Sequence, residues 1–397
     1  MNQLLLKNLP LSGKKVLVRV DFNVPFANNT IGDDSRIQAA LPTIQYILDH
    51  QGTVILMSHL GRPKGKKDPG FSLAPCAKRL SELLKKDVLM APDCIGEEVE
   101  KMARGLTTGD ILLLENLRFY DAEEHPDHDP EFAEKLAKLG DLYVNDAFGT
   151  AHRNHSSTAT ITQYFPSKAA AGFLMEKEIV FLSTILQNPK APFFTILGGA
   201  KVDTKVGMIE NILDKIDALF IGGAMSYTFL RAKGIPMGSS PIDELQTAKK
   251  ILNQCKKKKV PLYLPEDIVI ADSFKDTANT KIIDAKLGFS SPWQGMDIGP
   301  KTVASWEKKL KPAATIFWNG PVGVFEMPSF AKGTKAIATF LASLPATTIV
   351  GGGDSVAAIT QLGLTNKFSH ISTGGGASLE FLEQGTLPGI EALSLAN

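Results

Sequence analysis

The sequence predicts an α/β protein built of two doubly wound parallel-sheet domains joined by a connecting helix and hinge. Three observations predict this. Short apolar runs alternate with longer amphipathic stretches along 397 residues. The runs fall into two sets of about equal size, separated by a segment of small residues. Nearly every run ends in glycine, a charge or a polar residue, as expected where ligands bind beyond the carboxyl ends of strands.

In chain order, the first set of runs is 16–18, 54–57, 111–114 and 142–144. The second is 193–197, 218–221, 315–317 and 347–350. Runs of this length, rich in β-branched residues, read as buried parallel strands. Between them, residues 41–49, 132–139, 206–216 and 244–252 carry helical patterns, which places helices on both sheet faces. Around Gly172, small residues precede a helix-like stretch. The boundary is therefore expected near residue 172, giving an N-terminal domain of 1–172 and a C-terminal domain that begins at 173.

Composition limits the function classes. The chain is 44% hydrophobic and 21% charged, ordinary for a soluble globular protein. Cys76, Cys94 and Cys255 are far apart and odd in number. They form neither a disulfide framework nor a CxxC metal site, and a reducing cytoplasm is expected. Each is read as a small buried hydrophobe. The stretch 1–11 is too short and mixed for a signal peptide, and no apolar run is long enough to span a membrane. With 43 basic and 42 acidic residues, there is no global attraction to nucleic acid. The lysine run 256–259 precedes the strand-like 260–264 and is read as a solvated helix end.

The first half carries basic residues near strand ends. They are Arg19, Arg36, Arg62, Arg118 and Arg153, with His59, His152 and His155. On parallel neighbouring strands these groups converge on one face. Guanidinium grips carboxylate or phosphate through two bonds, so such a set suits a compact, multiply charged anion. Asp21 and Asn23 are candidates to orient the arginines or accept a substrate hydroxyl. Any one arginine alone would be an ordinary salt bridge; five in comparable places argue otherwise. His125 and His128 lie in an acidic loop, solvated or metal-binding, and the solvated reading is favoured.

The second half carries glycines at the corresponding places: Gly198 and Gly199, Gly222 and Gly223, Gly320 after Asn319, Gly351, Gly352 and Gly353, and Gly374, Gly375 and Gly376. Glycine lets backbone amides approach a phosphate, and a helix N-terminus adds a favourable dipole. One such pair alone is a tight turn; five sites point to a nucleotide. Lys201 and Lys205 are four apart and expected on one helix face, within reach of phosphate oxygens. Asp354 is placed to hold Mg²⁺ beside a polyphosphate, and Glu326 to hold ribose hydroxyls. Neither G-x-x-x-x-G-K-[ST] nor G-x-G-x-x-G occurs.

These strings resemble the phosphoglycerate kinase family. The resemblance rests on Arg19-Val20-Asp21-Phe22-Asn23-Val24-Pro25, Ser58-His59-Leu60-Gly61-Arg62-Pro63, Glu115-Asn116-Leu117-Arg118-Phe119 and Asn145-Asp146-Ala147-Phe148-Gly149-Thr150-Ala151-His152-Arg153. In the second half it rests on Leu197-Gly198-Gly199-Ala200-Lys201-Val202, Trp318-Asn319-Gly320-Pro321-Val322-Gly323-Val324-Phe325-Glu326, Gly351-Gly352-Gly353-Asp354-Ser355 and Ser372-Thr373-Gly374-Gly375-Gly376. They run in family order from 16 to 376. The resemblance implies Rossmann-like domains around a cleft, with 379–397 packing back on the N-terminal domain. It implies that Asp21, Asn23, Arg36, His59, Arg62, Arg118 and Arg153 hold 3-phosphoglycerate. It implies that Gly198, Gly199, Lys205, Gly222, Gly223, Asn319, Glu326, Gly351, Gly352, Gly353, Asp354 and Ser355 surround ATP or ADP, with Asp354 near Mg²⁺. Lys201 looks like a mobile lysine that meets the transferring phosphoryl group. A cytoplasmic monomer is expected. Asp203, Thr204 and Phe26 depart from the family pattern.

The chemistry explains what is missing. A carboxylate acceptor is already ionised, so no general base is needed. Direct in-line transfer rests on positioning and charge, here assigned to Arg36, Lys201, Mg²⁺ and amides near Gly375 and Gly376. Sites on two domains require closure, with hinges expected near Gly172 and after Glu326 and Thr373. A nicotinamide-dependent oxidoreductase would need the missing G-x-G-x-x-G turn. A silent binding protein would be expected to have lost charged site residues.

Overall fold

The computed structural model describes residues 3–27 and 30–394. The ends of the expected N-terminal domain and returning segment, at residues 1–2 and 395–397, lie outside the described residues, as do 28 and 29. The chain divides into two units: Met1–Val180 with Thr386–Asn397, and Phe181–Gly385. The division falls inside the helix Phe173–Gln187.

The first unit is built on a six-stranded sheet. Its order is Leu89–Met90, Ile111–Leu113, Thr53–Met57, Lys15–Arg19, Leu142–Asn145, Ala169–Ala171, and every pairing is parallel. The central strands are buried along their length, so helices must cover both faces. Alternate residues Val16, Val18, Val54, Leu56, Leu113 and Val144 meet Ile37, Ile44 and Ile47 of helix Ser35–Asp49 and Cys76 and Leu80 of helix Ala74–Leu84. Each such aliphatic side chain contributes about 1.5–3 kcal/mol on burial. All three cysteines are free and buried.

The second unit repeats the plan, in the order Leu262–Tyr263, Ala218–Ile221, Phe193–Leu197, Thr315–Asn319, Thr347–Gly351, His370–Ile371. These pairings are also all parallel. Ile196, Phe220, Ile316, Trp318 and Val350 pack on Trp306, Ile337, Leu341 and Ile359. The sequence reading did not show a second sheet here. Asp267–Ala271 pairs antiparallel with both Thr280–Asp284 and Gln294–Ile298. Its Ile268 and Ile270 bury against Tyr227 and Leu230 of helix Gly223–Ala232. The outer strand Thr280–Asp284 is largely exposed, which removes the apolar run that would have announced it.

The helices differ from expectation mainly at their ends. The first begins at Ser35, before Arg36. The lysine run closes the helix Leu245–Lys258, with Lys259 left-handed at φ 58° and Lys258 paired to Asp214 at 2.7 Å. Basic residues there complement the helix dipole.

Candidate functional site

In the first unit the strand Lys15–Arg19 lies between Thr53–Met57 and Leu142–Asn145. Strand order reverses here, opening a crevice at the carboxyl ends. Arg19 closes this strand but does not face ligand space. It is fully buried. Its Nε donates to Ser157 Oγ at 2.8 Å, Nη1 to the Val20 carbonyl at 2.5 Å, and Nη2 to His59 Nδ1 at 3.2 Å. A guanidinium only donates, so Nδ1 must accept and the ring proton sits on Nε2. Burial, with Arg19, Arg118 and Arg36 nearby, holds His59 well below its ordinary pKa despite Asp21. The imidazole is neutral.

Arg36, in the first turn of its helix, pairs with the Asp21 carboxylate. Burial alone would raise the Asp21 pKa, but the surrounding guanidinium groups and the Asn23 amide keep it low. Asp21 Oδ1 accepts the Asn23 N–H at 3.1 Å, and Asn23 Oδ1 accepts the Gly61 N–H at 2.9 Å. Two strand-end loops are thereby tied together. Arg118 donates from Nη1 to the Gly61 carbonyl at 2.9 Å and pairs with Glu124 at 3.1 Å. Its buried Nε has no partner, an unused donor at the crevice. Asn116 holds that turn, accepting the Arg118 N–H at 3.0 Å. Arg62 and Arg153 are exposed, and no ion pair to either occurs among the described residues.

These groups share one electrostatic neighbourhood. Arg36 and Arg118 act on His59, Arg62 acts on Arg118, and Arg118 and Arg153 act on His155. Burial first, then the nearby cations, lowers His155 to about 3. Burial and Arg153 lower His152 to about 4. Both are neutral at pH 7. His125 and His128 stand apart on the surface, stacked 5.0 Å centroid to centroid, with His128 bonded to Asp121 at 2.5 Å. Among the described residues no group of three His, Cys, Asp or Glu could hold a metal.

In the second unit the crevice lies between Phe193–Leu197 and Thr315–Asn319, again where the order reverses. Its glycines divide into two kinds. A Cβ on Gly198 would sit 2.0 Å from the Pro321 carbonyl oxygen, and one on Gly223 would sit 2.7 Å from the Gly199 nitrogen. These glycines let strand ends pack backbone against backbone. By contrast, a Cβ on Gly353, Gly375 or Gly376 would meet no atom within 4 Å. Those open onto free space.

Three helices start along this edge: Gly223–Ala232 after Gly222, Gly353–Gln361 after Gly352, and Gly376–Gln384 after Gly375. No side chain caps any of them. In the first of these the Gly223 and Met225 amides are already donated to the Val322 and Gly199 carbonyls at 3.0 and 2.9 Å, and in the third Ala377 donates to the Gly374 carbonyl at 2.9 Å. The amides of Gly353, Asp354 and Gly376 are left for an anion, which the helix dipoles favour. Asn319 lies beneath Gly351 and Gly352, its buried Nδ2 without a hydrogen-bond partner. Ser355 is buried and accepts the Gly320 N–H at 2.6 Å, so its hydroxyl pins the loop. Asp354 is exposed in the first turn of its helix, and Glu326 is exposed on a turn.

The two lysines do not share a helix face. The chain at Lys201 is irregular, Asp203–Lys205 is a 3-10 turn, and the α-helix begins only at Val206. The Val202 amide is instead drawn to Asp243 Oδ2 at 3.1 Å. Lys201 is exposed, whereas Lys205 is buried next to Gly199. Burial lowers the Lys205 pKa against the opposing pull of Asp354 and Asp203. It is a desolvated ammonium with no ion pair within 4 Å among the described residues. At position 203, the Asp carboxylate accepts the Thr204 N–H at 2.7 Å; it does not neutralise either lysine by contact.

Sequence reasoning missed three buried acids that hold the framework around the strand ends. Glu123 underlies the arginines, and Asp146 holds the first turn of helix Phe173–Gln187, accepting from Leu174 and Met175 at 2.9 and 3.2 Å. Asp297 joins Gln294–Ile298 to helix Lys332–Ser343 by accepting the Gly333 N–H at 2.7 Å. Glycine offered one signal for two of the three: Gly172 presses on Asp146, and Gly323 and Gly333 press on Asp297.

Comparison with known proteins agrees with this architecture. The family model described as phosphoglycerate kinase matches residues 6–385. Phosphoglycerate kinase of Limosilactobacillus reuteri is 52% identical over 99% of this chain and 100% of its own. That of Dictyoglomus turgidum is 53% identical over 98% and 97%. The solved phosphoglycerate kinase of Coxiella burnetii superposes with a TM-score of 0.87 at 40% identity, covering 98% of both chains. That of Pyrococcus horikoshii gives 0.86 at 33%, covering 99% of this chain and 98% of its own. Two parallel sheets, a basic crevice, a glycine-lined crevice and full-length relatedness lead to one assignment: this chain belongs to the phosphoglycerate kinase family.

Proposed function

We propose that the chain catalyses reversible phosphoryl transfer between 1,3-bisphosphoglycerate with ADP and 3-phosphoglycerate with ATP, as in glycolysis and gluconeogenesis. The observation that carries the reading is the pairing of two unlike crevices on like sheets in one chain of this family. One offers cations with spare donors. The other offers the open helix N-termini at Gly353 and Gly376.

In this reading Arg62, Arg118 and Arg153, with Asn23, Asp21 and His59, bind the acceptor, and Arg36 meets the transferring group. Gly198, Gly199, Gly222, Gly223, Asn319, Glu326 and the stretch Gly351 to Ser355 line the nucleotide site. Lys205 holds its phosphates and Lys201 follows the moving phosphoryl group. Asp354 suits Mg²⁺: a single exposed carboxylate beside free helix amides matches an ion that keeps its waters and takes phosphate oxygens. When bound, Mg²⁺ would neutralise charge on the polyphosphate. The chain's own contribution is orientation and fixed positive charge, through Arg36, Lys201 and the amides of Gly375 and Gly376. No proton need move, because the attacking carboxylate is ionised. Loss of Arg36 should cost about 10²–10³-fold in kcat.

Direct transfer demands that the two reactants touch and water be excluded, so we include hinge closure, with hinges near Gly172 and after Glu326 and Thr373. The domain limits 1–172 and 173–378, with 379–397 returning to the first, and a cytoplasmic monomer belong to the same proposal. Among the described residues no helix is long and apolar enough to cross a membrane. The test is a coupled assay with ATP, 3-phosphoglycerate and Mg²⁺, beside Lys201→Ala. Turnover requiring all three, and lost in the variant, supports the reading; no turnover, or an unimpaired variant, refutes it. X-ray scattering unchanged by both substrates together would remove closure, and a dimer by light scattering would remove the monomer.

A further inference from the structure

Beneath the basic crevice lies a second layer of polar groups. Glu123, in the turn Asp121–Glu123, is fully buried. Its Oε1 accepts from the Ser157 hydroxyl at 2.6 Å and its Oε2 from the Ser157 N–H at 3.0 Å. The same hydroxyl accepts from Arg19 Nε at 2.8 Å, and Arg19 Nη2 stands 3.8 Å from Glu123 Oε1. Ser156 adds bonds from its hydroxyl to the Ala122 carbonyl at 2.6 Å and from its N–H to the Glu123 carbonyl at 3.0 Å. The Tyr143 hydroxyl donates to the Ser157 carbonyl at 2.7 Å. The Ser157 hydroxyl thus bridges one buried cation to one buried anion, and the remaining bonds brace the segments that carry it.

A buried ion pair is a poor source of net stability, because desolvation offsets the attraction. It is a good way to fix direction, since a guanidinium is a rigid fork. With Nε held by Ser157 and Nη1 by the Val20 carbonyl, Nη2 is left for His59 Nδ1. Resting on the acceptor-site reading above, we propose that Glu123 and Ser157 are positioning residues which, through Arg19, set His59 as the neutral Nε2–H tautomer. The site then offers acceptor substrate a directed neutral donor rather than a further charge. A hydrogen bond of this kind rejects analogues lacking its partner, which added charge cannot do.

The experiment is nitrogen NMR of the full chain labelled at its seven histidines, with a His59→Gln variant to assign the signal. In the unaltered protein at pH 7, Nδ1 should be bare and Nε2 protonated. Ser157→Ala keeps both charges but cuts the link. It should mix the tautomers and raise KM for 3-phosphoglycerate about tenfold, the lower range for a bond to a charged group, leaving KM for ATP unchanged. Glu123→Gln should do the same more strongly if it folds. An imidazolium or an Nδ1–H ring in the unaltered protein overturns the proposal, as does Ser157→Ala with tautomer and KM both unchanged. Arg62→Ala separates the two levels. If it too leaves KM for 3-phosphoglycerate unchanged, the acceptor-site reading falls and this proposal with it. If Arg62→Ala raises that KM while Ser157→Ala does not, only the positioning role fails.

Discussion

Gly376→Ala separates the two reasons for a glycine at this sheet edge. Gly376 is the first residue of its helix, its φ is not positive, and a Cβ there would meet no atom within 4 Å. The folded protein therefore has room for alanine. Replacing glycine where the backbone is compatible stabilises by about 0.4–1 kcal/mol, mostly by restricting the unfolded chain. For a unit of about 200 residues that raises Tm by about 1–4 °C. The methyl group enters the space above a free helix amide. If that space receives the transferring phosphoryl group, kcat should fall about 10–100-fold, somewhat less than loss of a full oxyanion donor. The assays are scanning calorimetry and coupled turnover on one preparation. Higher Tm with lower kcat is the expected pair. Normal kcat with higher Tm would refute the place given to the Gly375–Gly376 turn, and lower Tm would refute the packing argument itself.

Other perturbations test the remaining structure. Gly198→Ala, whose Cβ would overlap the Pro321 carbonyl at 2.0 Å, should destabilise by about 3 kcal/mol or more, read as a lower urea midpoint. Arg153→Ala should raise KM for 3-phosphoglycerate at unchanged Tm, because its side chain is exposed and unpaired; Arg19→Ala should cost about 3–5 kcal/mol of stability by stranding Glu123, separable by thermal melts. Burial raises Asp146 from 3.8 to about 6. A raised acid is favoured protonated in the folded state, so its stabilising contribution is full below about pH 4 and is lost as pH climbs through about 6, a change on the order of 3 kcal/mol. Asp146→Asn keeps the acceptor for Leu174 and Met175 and should flatten that part of the stability–pH curve.

The legible parts of the molecule were those where one residue type does one job. Buried parallel strands need unbroken apolar runs, so both large sheets could be read from 54–57 or 193–197 alone. The antiparallel sheet was hidden because Thr280–Asp284 is open to solvent and carries a lysine and terminal polar residues. Among site residues, strand-end position was visible but side-chain direction was not. Arg19 and Arg118 both follow apolar runs, yet Arg19 turns inward onto Ser157 while Arg118 keeps a spare Nε at the crevice. Lys201 and Lys205 have helical spacing, but the chain does not become α-helical until Val206.

What decides these directions is the counter-charge, and it comes from elsewhere in the chain. Glu123 lies 104 positions after Arg19 in sequence, amid other acids and histidines, and nothing local marks it as buried rather than solvated. Folding cannot leave Arg19 in a dry interior without an anion, since an isolated buried charge is prohibitively unfavourable. So the inward arginine and the buried glutamate specify one another, and only the fold brings them together. The outward arginines obey the complementary rule. Among the described residues Arg62 and Arg153 form no ion pair, so their donors are not already spent on the chain. The four arginines differ in what they keep: Arg36 and Arg118 are already shared with Asp21 and Glu124, Arg62 and Arg153 form no ion pair among the described residues, and Glu123 is placed on the buried Arg19 beneath them.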